Sequence, residues 1–201
     1  MLEWCENKLT ISGQNPFQFL KDCSGTIPCY KNQDGSYDEP RMSKFTFNAL
    51  VPVPKEVLER GYAMFRRRIS LSLEDPLYDK TEVIEGSGKE WQLSNWGTGR
   101  DVDTPDLHPE IEEWSVQFEN IKEGEISISL HTAWSPPAAW IINAAKRYPQ
   151  LKFKLAYFGV EEFFVGRVII ENGGVVEQLD FDEDNDDFWN IAGAEFNYGR
   201  Y

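Results

Sequence analysis

Six carboxylates fall within eight positions, at Asp180, Asp182, Glu183, Asp184, Asp186 and Asp187, the densest run of chemically capable side chains in the sequence. Oxygen ligands at alternate positions suit calcium, so loop spacing is the first test. Counting from Asp180, Asp182 and Asp184 stand correctly. Asn185 then occupies the position that needs glycine, and Ile191 the position that needs a bidentate glutamate. The other registers fail too, and no metal site is assigned. Phe181, Phe188 and Trp189 interleave with the acids. A solvated acidic turn is one reading of this segment. The sharper one is a docking surface of Asp180, Asp182, Glu183, Asp184, Asp186, Asp187, Phe188 and Trp189. Its charge would speed encounter with a basic groove while the rings supply burial.

A second candidate combines Asn95, Trp96 and Thr98 with His131 and Trp134. Gly97 lets a backbone approach a ligand, Asn95 and Thr98 offer hydrogen bonds, and the two indoles offer stacking surfaces. The competing reading of Asn95–Thr98 is a structural turn pinned by its tryptophan. Trp134 likewise reads as a hydrophobic staple onto a following helix. His108 and His131 are the two histidines, and neither has a nucleophile and acid at a recognisable spacing. Gly86-Ser87-Gly88-Lys89 lacks both the first glycine of a phosphate loop and a hydroxyl residue after the lysine. No catalytic residue and no cofactor is assigned.

The elements that would position these residues follow from periodicity. Lys8–Ser12 alternates as a half-buried strand closed by Gly13, and Asn15-Pro16 begins a short helix. Residues 24–43 read as a surface loop, and Lys44–Leu50 as a second strand. Val57, Leu58, Tyr62, Phe65 and Ile69 predict a helix over 55–69, with Arg66, Arg67 and Arg68 suiting its C-terminal dipole. Residues 70–115 carry no clear period and are expected to form an irregular, partly packed insertion. From Glu125 the pattern reads β-α-β-β-β. Strands lie at 125–130, 151–157, 165–170 and 175–179, a helix starts after Ser135-Pro136-Pro137, and Asn172-Gly173 makes a hairpin turn. This predicts an α+β fold with a mainly antiparallel sheet and helices packed on one face.

The 201 residues include 34 acidic and 20 basic side chains, a net charge of −14 that disfavours duplex nucleic acid. Residues 171–201 carry nine acids and one arginine, more than half of that imbalance. Aromatics make up 14%, read chiefly as core. Cys5, Cys23 and Cys29 show neither disulfide-scaffold nor zinc spacing. Met1-Leu2-Glu3-Trp4 lacks the features of a signal peptide, and no run reaches the ~20 apolar residues of a membrane span. The expected location is the cytoplasm.

The run His131-Thr132-Ala133-Trp134-Ser135-Pro136-Pro137, followed by Trp140, Tyr148-Pro149, Leu151, Phe153 and Tyr157, resembles the YubB-type ferredoxin-like domain of phages, plasmids and related mobile elements. Trp4–Gly13 is similar to that family's first strand, and Asn95-Trp96-Gly97-Thr98 to its NWGT segment. The resemblance implies a ferredoxin-like α/β sandwich and no catalytic residues. The expected organisation is a single compact domain over 1–201, matching the family best at 125–179. Residues 70–115 would be its insertion and 180–201 an acidic aromatic end. The expected function is non-enzymatic binding of a host protein, as an anti-defence inhibitor whose acidic surface fills a nucleic-acid-binding groove. The alternative is a module for a small ligand, nucleotide or single-stranded nucleic acid.

Overall fold

Alternation in the first segment runs well beyond Lys8–Ser12. In β1 (Trp4–Gly13), Cys5, Asn7, Leu9 and Ile11 are buried while their neighbours are partly exposed. The computed structural model describes residues 4–68, 80–102, 116–122 and 124–198. After β1, Pro16 occupies the first turn of α1 (Pro16–Asp22), where its missing N–H costs nothing. Asn15 precedes it in a left-handed conformation, and its side chain makes no capping bond.

The next eighty residues form small elements: β2 (Gly25–Thr26), β3 (Met42–Ser43), α2 (Phe47–Leu50), α3 (Lys55–Arg60), β4 (Phe65–Arg68), β5 (Lys80–Val83) and α4 (Gly88–Trp96). Two sequence expectations fail here. Residues 44–50 are not a strand, because Thr46 caps α2 by accepting a hydrogen bond from the Asn48 N–H at 3.1 Å. Phe45, Thr46 and Phe47 are all buried, so the apolar-polar-apolar spacing that reads as a strand belongs to a capping turn. Nor does a helix span 55–69. Gly61, at φ 89°, ends α3 where a Cβ would lie 2.8 Å from the Lys31 carbonyl oxygen. Arg66, Arg67 and Arg68 then pair in β4 with Glu82, Thr81 and Lys80 of β5. The predicted insertion contains β5 and α4, while 69–79 and 103–115, with His108, lie outside the described residues.

The C-terminal half follows its periodicity closely: β6 (Val116–Lys122), β7 (Glu125–Ala133), α5 (Ala138–Ala145), β8 (Leu151–Gly159), β9 (Phe164–Glu171), β10 (Gly174–Asp182) and α6 (Asp186–Phe196). Asn172 and Gly173, both at positive φ, make the β9–β10 hairpin. The main sheet has the order β10-β9-β8-β1-β7-β6, with every neighbouring pair antiparallel. Within it, β1-α1-β6-β7-α5-β8 is a β-α-β-β-α-β unit with its strands in the spatial order fourth, first, third, second. That is the ferredoxin-like arrangement. Its central strand comes from the N-terminus, and α2, α3 and α4 are inserted between its first helix and second strand.

α1 and α5 cover one face, but α6 does not join them. Along β8, Phe153, Leu155 and Tyr157 enter the large core, whereas Phe158 points the other way into a cluster with Val165, Phe188 and Ala192. Side chains alternate across a strand, so α6 lies on the opposite face from α5. The ferredoxin-like frame thus has its two helices packed on one face, as expected, and α6 adds a layer over the other. The hydrophobic stripe of α6 requires it, since Phe188 and Ala192 are one turn apart.

Aromatic rings join the insertion to this frame. Phe47 of α2 sits 4.6 Å from the Trp140 ring and 5.7 Å from that of Trp96, with Phe19 6.0 Å from Trp140. Both buried indoles are satisfied: Trp140 donates to the Phe47 carbonyl at 3.1 Å and Trp96 to that of Val51 at 2.9 Å. Among the described residues no helix is long and apolar enough to cross a membrane.

Candidate functional site

The two indole-bearing segments singled out in the sequence do meet, but they meet each other. Thr98 donates to the Ala133 carbonyl at 2.9 Å, and Ser135 donates to that of Gly97 at 2.5 Å. Gly97 closes α4 in the left-handed conformation, and a Cβ there would stand 2.6 Å from the Pro136 carbonyl oxygen. Trp96 is fully buried and offers no stacking surface. Asn95 donates to the Trp91 carbonyl. Trp134 lies under the Lys89 ammonium, 4.3 Å from its ring centroid, and against Gly99; it is no staple on α5. His131 stands beside Glu6 across the β1–β7 pair, on the α6 face, so the sheet separates it from Trp96. Asn95, Trp96, Thr98, His131 and Trp134 therefore form no common pocket. Gly86–Lys89 is a helix start, where Ser87 accepts from the Glu90 N–H.

The acidic segment splits between two elements. Asp180 and Asp182 lie on β10, and Asp180 accepts the Tyr157 hydroxyl. Glu183 and Asp184 form the exposed turn. Asn185 caps α6, accepting from the Asp187 N–H at 2.9 Å, and Asp186 and Asp187 fill its first turn, where negative charge complements the helix dipole. Phe188 is completely buried against Phe158, so it is a core residue and not a partner anchor. Trp189 remains partly exposed, its ring 4.9 Å from that of Phe188.

A different site emerges from the insertion. The 27–41 segment, the end of α3, Ile84 and the α4 side line a half-open cavity of about 900 Å³. Tyr30 and Tyr62 meet edge to face in its wall, with ring centroids 5.5 Å apart. Gly88 makes room for this, because a Cβ there would stand 2.2 Å from the Tyr30 ring. Tyr62 donates to the Gly99 carbonyl at 2.6 Å. Gln92 is only 2% exposed; its amide nitrogen donates to the Tyr30 hydroxyl at 2.8 Å, and its carbonyl oxygen has no partner. Turning the amide over exchanges which end is satisfied, so one end is unpaired either way. The buried Nε–H of Arg100 is likewise unpaired.

Asp101 anchors the site to α2. It accepts from the Thr46 hydroxyl at 2.5 Å and from the N–H groups of Phe47 and Val102, both at 2.8 Å. Burial pushes its pKa up to about 6, against the pull of those hydrogen bonds. Burial also raises the Tyr30 and Tyr62 phenols and the Cys29 thiol above their usual ranges, which keeps all three protonated at neutral pH. Protonated hydroxyl and thiol groups are suited to holding a ligand by hydrogen bonds and poorly suited to attacking one. Sequence reasoning missed Tyr30, Gln92, Arg100 and Asp101 and assigned Tyr62 to a helix. No local signal marked them, because residues 70–115 carry no clear period and the burial of Gln92 is set by the fold.

Residues 113–197 match the family model of the ferredoxin-like domain in Api92-like protein, a stretch that extends beyond 125–179 to take in α6. The chain is also similar to the crystal structure of a protein api92 from Yersinia pseudotuberculosis. The TM-score is 0.54 at 9% sequence identity, over 90% of this chain and 98% of that one. At such identity the likeness is one of fold, and it supports the ferredoxin-like assignment. No curated protein matches the chain. The cavity residues lie outside the stretch that the family model matches.

Proposed function

We propose that this chain is a binding module that takes a small polar ligand into the cavity beside α4. The observation that carries this is the Gln92 amide, almost wholly buried in the cavity wall with one end unpaired. Leaving such a group unsatisfied costs about 1–3 kcal/mol, which a ligand's polar atom would recover. A cavity of about 900 Å³ falls within the range that encloses small molecules. A fragment screen of the isotope-labelled full chain by NMR tests the reading. Binders should perturb the Gln92 side-chain amide and the backbone of 27–41 and 84–101. A polar library that leaves all of these unmoved would dismiss it.

A second reading rests on β10, the outer strand of the main sheet among the described residues. Val175 and Val176 are 44% and 58% exposed there, and Asp180, Asp182, Glu183 and Asp184 follow. An open edge beside like charges suits a basic protein that adds a strand. With the mobile-element setting that the sequence resemblance implies, that partner would be a host protein in the bacterial cytoplasm, inhibited at a nucleic-acid-binding groove. Capture of such a partner should weaken steeply with salt and with a Val176→Lys change. Salt-insensitive capture would exclude the charge-led version.

A further inference from the structure

We infer that the ligand of this cavity is a small organic anion whose carboxylate or phosphate sits on Arg100 while a polar atom meets Gln92. This rests on the cavity reading above. The chain as a whole carries 34 acids against 20 bases, yet its cavity reverses the balance. Lys31, Arg41, Arg60 and Arg100 line it against Asp38, Glu39 and Asp101. Lys31 is paired with Glu59 at 3.9 Å, and of the three acids Asp101 is occupied by four hydrogen bonds from Thr46, Phe47, Asn48 and Val102, so three arginines face two acids. In a protein whose overall field repels anions, a locally cationic hollow is a selective place for one.

Arg100 supplies the geometry. A guanidinium presents Nε–H and a neighbouring Nη–H side by side, the spacing of two oxygens of a carboxylate or phosphate. Its Nε–H is buried and has no acceptor, an uncompensated donor on a permanently charged group. The guanidinium lies over the Trp134 ring, 6.0 Å from its centroid, a contact that helps orient it before any ligand arrives. Gln92, on the same cavity, adds a second unpaired polar point, and the edge-to-face Tyr30 and Tyr62 rings give the wall an aromatic lining. Two polar contacts on rigid neighbours fix both the position and the orientation of such a ligand.

The test titrates the isotope-labelled full chain with four probes, sodium benzoate, adenosine monophosphate, inorganic phosphate and neutral benzamide, each to about 10 mM, which covers affinities as weak as millimolar. Reading the Arg100 Nε–H and Gln92 side-chain amide resonances reports both contacts directly. At least one anion should shift both signals saturably and bind at least about tenfold more tightly than benzamide. Arg100→Gln should lose that preference. Arg100→Lys, which keeps the charge and removes the fork, should weaken binding by a similar factor; circular dichroism checks that both variants fold. If benzamide binds as well as benzoate, the anion inference falls and the small-ligand reading stands. If no probe, charged or neutral, moves any cavity resonance, both fall. Shifts confined to exposed lysines would mean an adventitious ion only and overturn the inference.

Discussion

Asp101 shows how far a single residue can be placed by its surroundings. It is 4% exposed and accepts hydrogen bonds from both strands of local chain it joins, 46–48 and 101–102. With its pKa near 6 when folded and about 3.9 when unfolded, the native state holds the extra proton between those values. Its contribution to stability is therefore greatest below about pH 4, declines as pH rises to about 6, and stays lower beyond. The full difference is on the order of 3 kcal/mol. Denaturant midpoints measured across this range for the parent and for Asp101→Asn should show the decline only in the parent. Parallel curves would reject the assignment. At the same scale, Phe188 and Trp189 are neighbours in sequence with opposite fates. Phe188→Ala should cost about 3–5 kcal/mol, since it empties the cluster beneath α6, whereas the partly exposed Trp189→Ala should cost clearly less. Equal losses in urea denaturation would contradict the burial described here.

Among the elements, helix ends carry most of the specificity. Gly97 both terminates α4 and lets the Trp134–Pro137 turn close over it. Gly97→Ala meets a left-handed backbone and a carbonyl at 2.6 Å together, so it should destabilise by about 2–3 kcal/mol and displace α4 from α5. An alanine variant with the parent's urea midpoint would show that this junction yields freely. The elements also show which sequence signals were trustworthy. β7 and β8 were legible because 125–130 and 151–157 alternate polar and apolar side chains over six or seven residues. α2 was not legible, since a capping threonine between two phenylalanines has the same period as a strand. The predicted 55–69 helix joined α3 to β4 because its apolar residues happened to keep helical spacing across Gly61. What ends α3 is the positive-φ Gly61, while the Leu58 carbonyl accepts from the Lys31 N–H, from nearly thirty residues away in the chain.

For the molecule as a whole, the order of the sheet matters more than the boundaries of any matched segment. β1 lies between β7 and β8, pairing with both along nearly its full length. The stretch 113–197 alone would leave that position empty and expose Ile128, Leu130, Phe153 and Leu155. As an isolated fragment it should show no cooperative unfolding transition, and adding residues 4–22 as a peptide should restore one. A fragment that folds unaided would mean that β7 and β8 can close the sheet by themselves.

Charge, the strands of the C-terminal half and the turn at Asn172-Gly173 were set by neighbouring residues alone, because side-chain period and turn chemistry act over a few positions. Which strands pair, which face α6 covers, and the meeting of Tyr30, Tyr62, Gln92 and Arg100 in one hollow were decided by tertiary structure. Those outcomes depend on burying apolar surface shared among distant segments, a condition that no short stretch of sequence carries.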